Sequence, residues 1–255
     1  MAFGPDFRTI GANSAAQATV YDTGLRAYML RVYNWMASGL ALTGAVSYGI
    51  AHTPALLSLF YQPVATATGT AIHPTGLAML VMFAPLAFVV VLSFGVNKLS
   101  RTAAQALYWA FCVAMGASLT NIFMAYSGES IARTFFITAG MFAGMSLWGY
   151  TTRTDLTRMG SFLMMGLFGI VLAMLVNIFL HSSVVQLVVS IIGVFVFTGL
   201  IAWDTQRIKS TYVQFAYADG PDMAAKRAVY DALGLLLNFI NLFLMLLQFT
   251  GSRRN

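Results

Sequence analysis

Four polar residues stand inside the most apolar part of this chain. Asp204 closes an apolar run at 184–203, and Asp231, Asn238 and Asn241 interrupt a second run at 229–250. An ionisable group at bilayer depth costs about 2.5–3.5 kcal/mol by insertion scales, so it marks a place where a cation is held, a proton is relayed or a neighbouring charge is paired. In the second run Asp231, Gly234, Asn238 and Asn241 follow i, i+3, i+7, i+10 spacing and share one stripe of a helix. Leu233, Leu235, Leu236, Leu237, Phe239 and Ile240 around them are apolar. A helix apolar nearly all round with one polar stripe suits a central position, its stripe facing a small hydrated cavity.

What joins the two runs must bring them together. The connector TQRIKSTYVQFAYA holds no breaker before Asp219-Gly220-Pro221, and Asp222 then offers an N-cap to MAAKRAVYDALGLLL. The expected unit is an αα-hairpin turning at 219–221. Residues equidistant from that turn lie at one height: Asp204 is level with position 236, Asn238 falls within a helical turn of it, and Asp231 sits about 7 Å nearer the turn at 1.5 Å per residue. A plainer alternative is that Asp204 ends its helix at the interface and pairs with Arg207 one turn on.

Composition names the solvent. Hydrophobic residues make up 59% of the 255-residue chain and charged residues 9%, whereas a soluble domain carries about 25% charged residues. The chain is therefore read as a polytopic membrane protein whose partner is the lipid bilayer. Its net charge of +6 is spread over loops without interleaved aromatics, which excludes a nucleic-acid surface. The single cysteine, Cys112, cannot form an intrachain disulfide and reads as a small buried residue. His52, His73 and His181 fall in outer loops without metal-ligand spacing, and Asp155 beside Arg153 and Arg158 reads as a solvated turn. No HExxH, GxSxG, P-loop or dinucleotide fingerprint is present, so neither enzymatic activity nor a cofactor is expected.

Residues 1–28 are polar and aperiodic and read as a flexible tail, leaving 29–255 as one membrane domain. No apolar leader with a small-residue cleavage site precedes the first span. Seven runs approach the roughly 20 residues that cross a bilayer, near 32–51, 77–97, 104–126, 131–150, 160–180, 184–203 and 229–250. Between the first two, 52–76 reads as a long uncharged loop. With a cytoplasmic N-terminus the inner segments hold eleven basic residues and the outer loops hold Arg133 alone, while Arg253 and Arg254 fall outside if all seven runs cross. Gly140 and Gly144 are spaced for close helix approach, with Gly116, Gly166, Gly169, Gly193 and Gly199 extending the pattern. Asn121 and Asn177 are expected to bond across helices, and Pro85 to weaken or kink its span.

Together the segments VYNWMASGLALTG (32–44), APLAFVVVLSF (84–94), 134–177, WDTQRIK (203–209) and NFINLF (238–243) resemble the Bax inhibitor family, and a bacterial member in particular. The resemblance implies an all-α membrane protein, a seven-transmembrane helix bundle with the last helix central and surrounded by the other six. It also implies a pH-sensitive calcium leak and, for other members, stress protection and restraint of membrane proteolysis. In calcium-leak members two aspartates of the sixth and seventh helices share a proton and are gated against a basic residue ending the second. The first matches Asp204; the second matches Asn238, so that carboxylate is absent, and Lys98 or Arg101 lies near the basic position. An Asp beside an Asn lacks the like-charge repulsion that lifts one carboxyl of a pair, and Ca²⁺ wants six to eight oxygens. Two functions follow as expectations. One is a cation leak, Ca²⁺ being the transported ion, with Asp204, Asn238 and Asp231 lining the path and Lys98, Arg101 or Arg207 as latch. The other is a non-conducting stress-response regulator that binds a membrane protein such as a protease. The expected location is the inner membrane of a bacterium.

Overall fold

In lipid every backbone N–H and C=O must be satisfied within the protein, so each long apolar run has to become a helix. The computed structural model describes residues 7–66, 69–95, 99–215 and 220–252. In order, the elements are α1 (Phe7–His52), α2 (Pro54–Phe60), β1 (Tyr61–Thr66), β2 (Gly69–Pro74), α3 (Gly76–Gly95), α4 (Arg101–Ser118), α5 (Thr120–Ala125), α6 (Gly128–Thr151), α7 (Thr157–Leu180), α8 (Ser183–Phe215) and α9 (Pro221–Thr250). Among the described residues each of the seven expected runs is helical over most of its length, the third with a break at Leu119, and the chain is an all-α membrane protein. Among the described residues, length and apolarity qualify five crossings, or six if α1 and α2, bent by 96° at Thr53, are one broken span. The seventh candidate, in α3, is the shorter apolar helix Gly76–Leu92.

The last helix is the innermost. Buried residues make up 61% of the most apolar stretch of α9 against 11% of that of α7. Its neighbours are α1, α4, α6 and α8, while α3 packs mainly on α4, and α7 on α8. Among the described residues the central helix thus packs mainly on four helices rather than on all six others. Leu235, Leu236 and Leu242 of α9 and Leu200, Ile201 and Ile208 of α8 are fully buried along this seam.

Several expectations change. The boundary at 28/29 does not separate two units, because α1 runs through it and Leu25 and Tyr28 are buried with Met29, Val32 and Met36. Their i, i+3, i+4, i+7, i+11 spacing is a helical stripe hidden among polar neighbours. Residues 52–76 are no open loop: α2 leads into an antiparallel hairpin pairing Tyr61 with Pro74 and Thr66 with Gly69. β-branched Val64, Thr66, Thr70 and Ile72 favour that extended backbone. At α9 the N-cap is Gly220, with Pro221 opening the first turn, and Asp222 lies inside it. Proline suits that position because its fixed φ is already helical and its missing N–H would go unused. Pro85 lies within a continuous α3. Asn177 accepts from the Ser182 N–H at 3.0 Å and so stitches the α7–α8 turn, where His181 takes a left-handed φ of 49°.

The glycines sort by the face they occupy. A Cβ at Gly140, Gly144 or Gly169 would meet open space, so the expected close approach at the α6 pair is absent. It occurs instead at Gly149, where a Cβ would run into the Ala202 backbone of α8, and at Gly116, where it would meet the Thr43 carbonyl of α1.

Candidate functional site

Helix α8 does not end at Asp204; it continues to Phe215, so the carboxylate is enclosed at 7% exposure. Its Oδ2 accepts a hydrogen bond from Asn238 Nδ2 of α9 at 2.5 Å. Its Oδ1 lies 2.7 Å from Arg207 Nη2, one turn on, an ion pair without hydrogen-bond alignment. Of the plainer alternative only the ion pair is kept: Asp204 pairs with Arg207 one turn on, but within a continuing helix, and it bonds across to α9. The equal-height argument for the hairpin places Asn238 correctly because α8 and α9 pack along their shared length. Arg207 is half exposed and its guanidinium lies over the Trp203 ring, 5.0 Å from the ring centre, as a cation–π contact.

Asp231, two turns nearer the hairpin, accepts from the Tyr28 hydroxyl of α1 at 2.6 Å. It lies within electrostatic reach of Arg207, Asp204 and Arg227. Between Asp231 and Asn238 along the α9 stripe stands Gly234, where a Cβ would meet no atom within 4 Å. No third His, Cys, Asp or Glu joins Asp204 and Asp231 as a metal-binding group among the described residues.

The other expected latch residues lie elsewhere. Arg101 forms an exposed ion pair with Asp222 at 3.1 Å. Asp222 stands sixteen residues before Asn238 on the same helix, about 24 Å away, so Arg101 guards the start of α9 and not Asp204. Lys98 lies outside the described residues. Among the described residues the buried Lys226 of α9 reaches the α3–α4 link, its Nζ donating to the Leu99 carbonyl at 3.2 Å.

Sequence reasoning missed a hydroxyl series beside Asp204. Tyr33 of α1 shares a hydrogen bond with Ser146 of α6 at 2.6 Å, and Ser146 with Thr205 of α8 at 3.0 Å. Nothing in the spacing of these three signals it, because each lies on a different helix. WDTQRIK, by contrast, is accounted for almost letter by letter. The Trp203 indole fills the space at Gly160. Gln206 Oε1 accepts from the Leu156 N–H at 2.8 Å and its Nε2 donates to the Thr154 carbonyl at 2.7 Å. Lys209 Nζ donates to the Tyr150 carbonyl at 2.8 Å. The motif holds α8 to α6, to α7 and to the turn between them, with Asp204 left to face α9.

Comparison with known proteins meets the same segments. The family model described as inhibitor of apoptosis-promoting Bax1 matches residues 25–255. The chain belongs to the Bax inhibitor family. This family member is 43% identical to a protein of Caulobacter vibrioides over 249 residues, covering 97% of this chain and 96% of that one. It is also 43% identical to the inner membrane protein YbhL of Escherichia coli K12 over 231 residues, 91% of this chain and 94% of YbhL. A membrane protein of Streptococcus pyogenes is 29% identical over 91% of this chain and 96% of its own length. The family match begins at residue 25, beside Tyr28, the α1 partner of Asp231.

Proposed function

We propose that this Bax inhibitor family protein is a pH-modulated leak pathway for cations, Ca²⁺ among them, along the contact of α8 and α9. What supports the reading is the buried carboxylate Asp204 bonded to Asn238 of a polar stripe, with Asp231 on the same stripe and open space at Gly234, which lies between Asp231 and Asn238 along α9. In the described arrangement Asn238 and Arg207 occupy both oxygens of Asp204, which is the closed form of such a path. A cation can use Asp204 only after Arg207 swings away, and Arg207 is free to do so because its head is half exposed. Two carboxylates and an amide oxygen supply too few ligands for tight Ca²⁺ capture, so hydration water completes the shell, as passage rather than storage requires. The orientation with its N-terminus in the cytoplasm follows from the basic residues, and the relation to YbhL supports the bacterial inner membrane.

Ca²⁺ entry into dye-loaded liposomes carrying the purified protein, at mildly acidic and mildly alkaline pH, tests this. Flux above empty liposomes that changes in Asp204→Asn and falls in Gly234→Leu supports the path. Absent flux from folded protein at either pH overturns it. A second reading, a non-conducting stress-response regulator that binds a membrane protein such as a protease, draws support from Asn238. With that residue in place of a second acid, Asp204 is already satisfied and needs no ion. It predicts a polypeptide that co-purifies and flux equal to that of empty vesicles.

A further inference from the structure

Helices α1 and α6 both rest on α8 but make no extended contact with one another. The groove left between them encloses about 530 Å³, walled by Met29, Leu30, Met36, Phe142 and Leu147, with Arg26 at one end. We propose that this groove holds one acyl chain of an anionic phospholipid, with Arg26 at the headgroup level.

Three observations select that occupant. The lining of α1 runs from Arg26 to Ala37, about 16 Å at 1.5 Å per residue, which matches one leaflet of a hydrocarbon core of about 30 Å. Arg26 is exposed and has no ion-pair partner among the described residues. Lys209, bonded to the Tyr150 carbonyl, adds a second positive charge at the same end. A zwitterionic headgroup brings no net charge to this end of the groove, whereas an anionic one does. At the floor, Tyr33 donates to Ser146, Ser146 to Thr205 and Thr205 to the Ile201 carbonyl, so no unpaired hydroxyl donor faces a hydrocarbon chain. A seated chain covers the Tyr33–Ser146–Thr205 hydroxyls from the lipid side, whether or not the protein conducts ions.

The test uses the full chain in phosphatidylcholine vesicles doped with either phosphatidylglycerol or phosphatidylcholine bearing a photoreactive group on one acyl chain. Labelled peptides are then mapped by mass spectrometry. Phosphatidylglycerol is expected to label 29–37 and 142–147 above the exposed α7 residues Phe162, Met165 and Phe168. Arg26→Ala lowers that groove labelling about fivefold, the factor for one basic residue at an anionic surface, and leaves α7 labelling unchanged. Ala143→Phe, placed on an exposed lining position, lowers groove labelling by both lipids. Equal labelling of groove and α7, equal labelling of the groove by the two lipids, or indifference to Arg26→Ala overturns the proposal. A protein found cross-linked in the groove in native membranes overturns it in favour of a polypeptide occupant.

Discussion

A buried carboxylate is stable only while its oxygens are engaged, and in Asp204 the two oxygens depend on unequal partners. Asn238 is buried at 8% exposure and aligned, while Arg207 is half exposed and unaligned. Asn238→Leu should therefore cost about 1–3 kcal/mol, the penalty for stripping a hydrogen bond from a buried charged group. Arg207→Gln should cost less than about 1 kcal/mol, because water screens the pair. Thermal unfolding in detergent micelles ranks the two, and the reverse order would mean that the ion pair carries the stability. Outside the membrane, Asp155 Oδ1 accepts from the Thr157 hydroxyl at 2.6 Å and its N–H at 2.9 Å. These bonds hold its carboxyl below the ordinary carboxylate range. A depressed carboxyl contributes stability above its unfolded value and loses it as the pH falls through the folded one. Thr157→Val should move the titration back up, read from the carboxyl carbon by NMR.

Between elements, the closest contacts are made where a side chain is missing. Gly149 lies against the Ala202 backbone, so Gly149→Ala forces α6 off α8 and should cost about 1–3 kcal/mol as overpacking does. Gly144→Ala, facing open space, should be neutral or stabilising by up to about 1 kcal/mol, since alanine is the better helix former. Equal melting temperatures for the two variants would contradict this packing. The α6–α7 turn depends on Gln206, which bonds to it twice. Gln206→Ala should speed amide exchange across 152–156 while leaving α9 protected.

At the scale of the molecule, a set of helices becomes one bundle because α9 is enclosed and the others are only partly so. The orientation is open to a direct test. With buried Cys112 replaced by Ser, a cysteine at exposed His73 in the hairpin should react with a membrane-impermeant maleimide from outside the cell, and one at exposed Arg153 should not. The opposite pattern would invert the bundle. Much of this was legible in the residues themselves. Apolar runs of bilayer length become helices because lipid leaves the backbone no other partner. The hairpin arithmetic from Gly220 brought Asn238 to Asp204 because two helices leaving one turn climb at the same rate. The Gly140–Gly144 spacing misled, since i, i+4 fixes a shared face but not what that face meets. The 52–76 hairpin is not legible in the sequence because its strands lack a long alternating pattern. The amino-acid sequence by itself determined the solvent, the helices and the polar stripe, which depend on local composition and spacing, and its segments carried the resemblance to the family. Only the tertiary structure decided that Tyr28 holds Asp231, that Tyr33, Ser146 and Thr205 join across three helices, and that α1 and α6 stand apart. Those depend on how far each helix is rotated about its axis, and packing alone sets that angle.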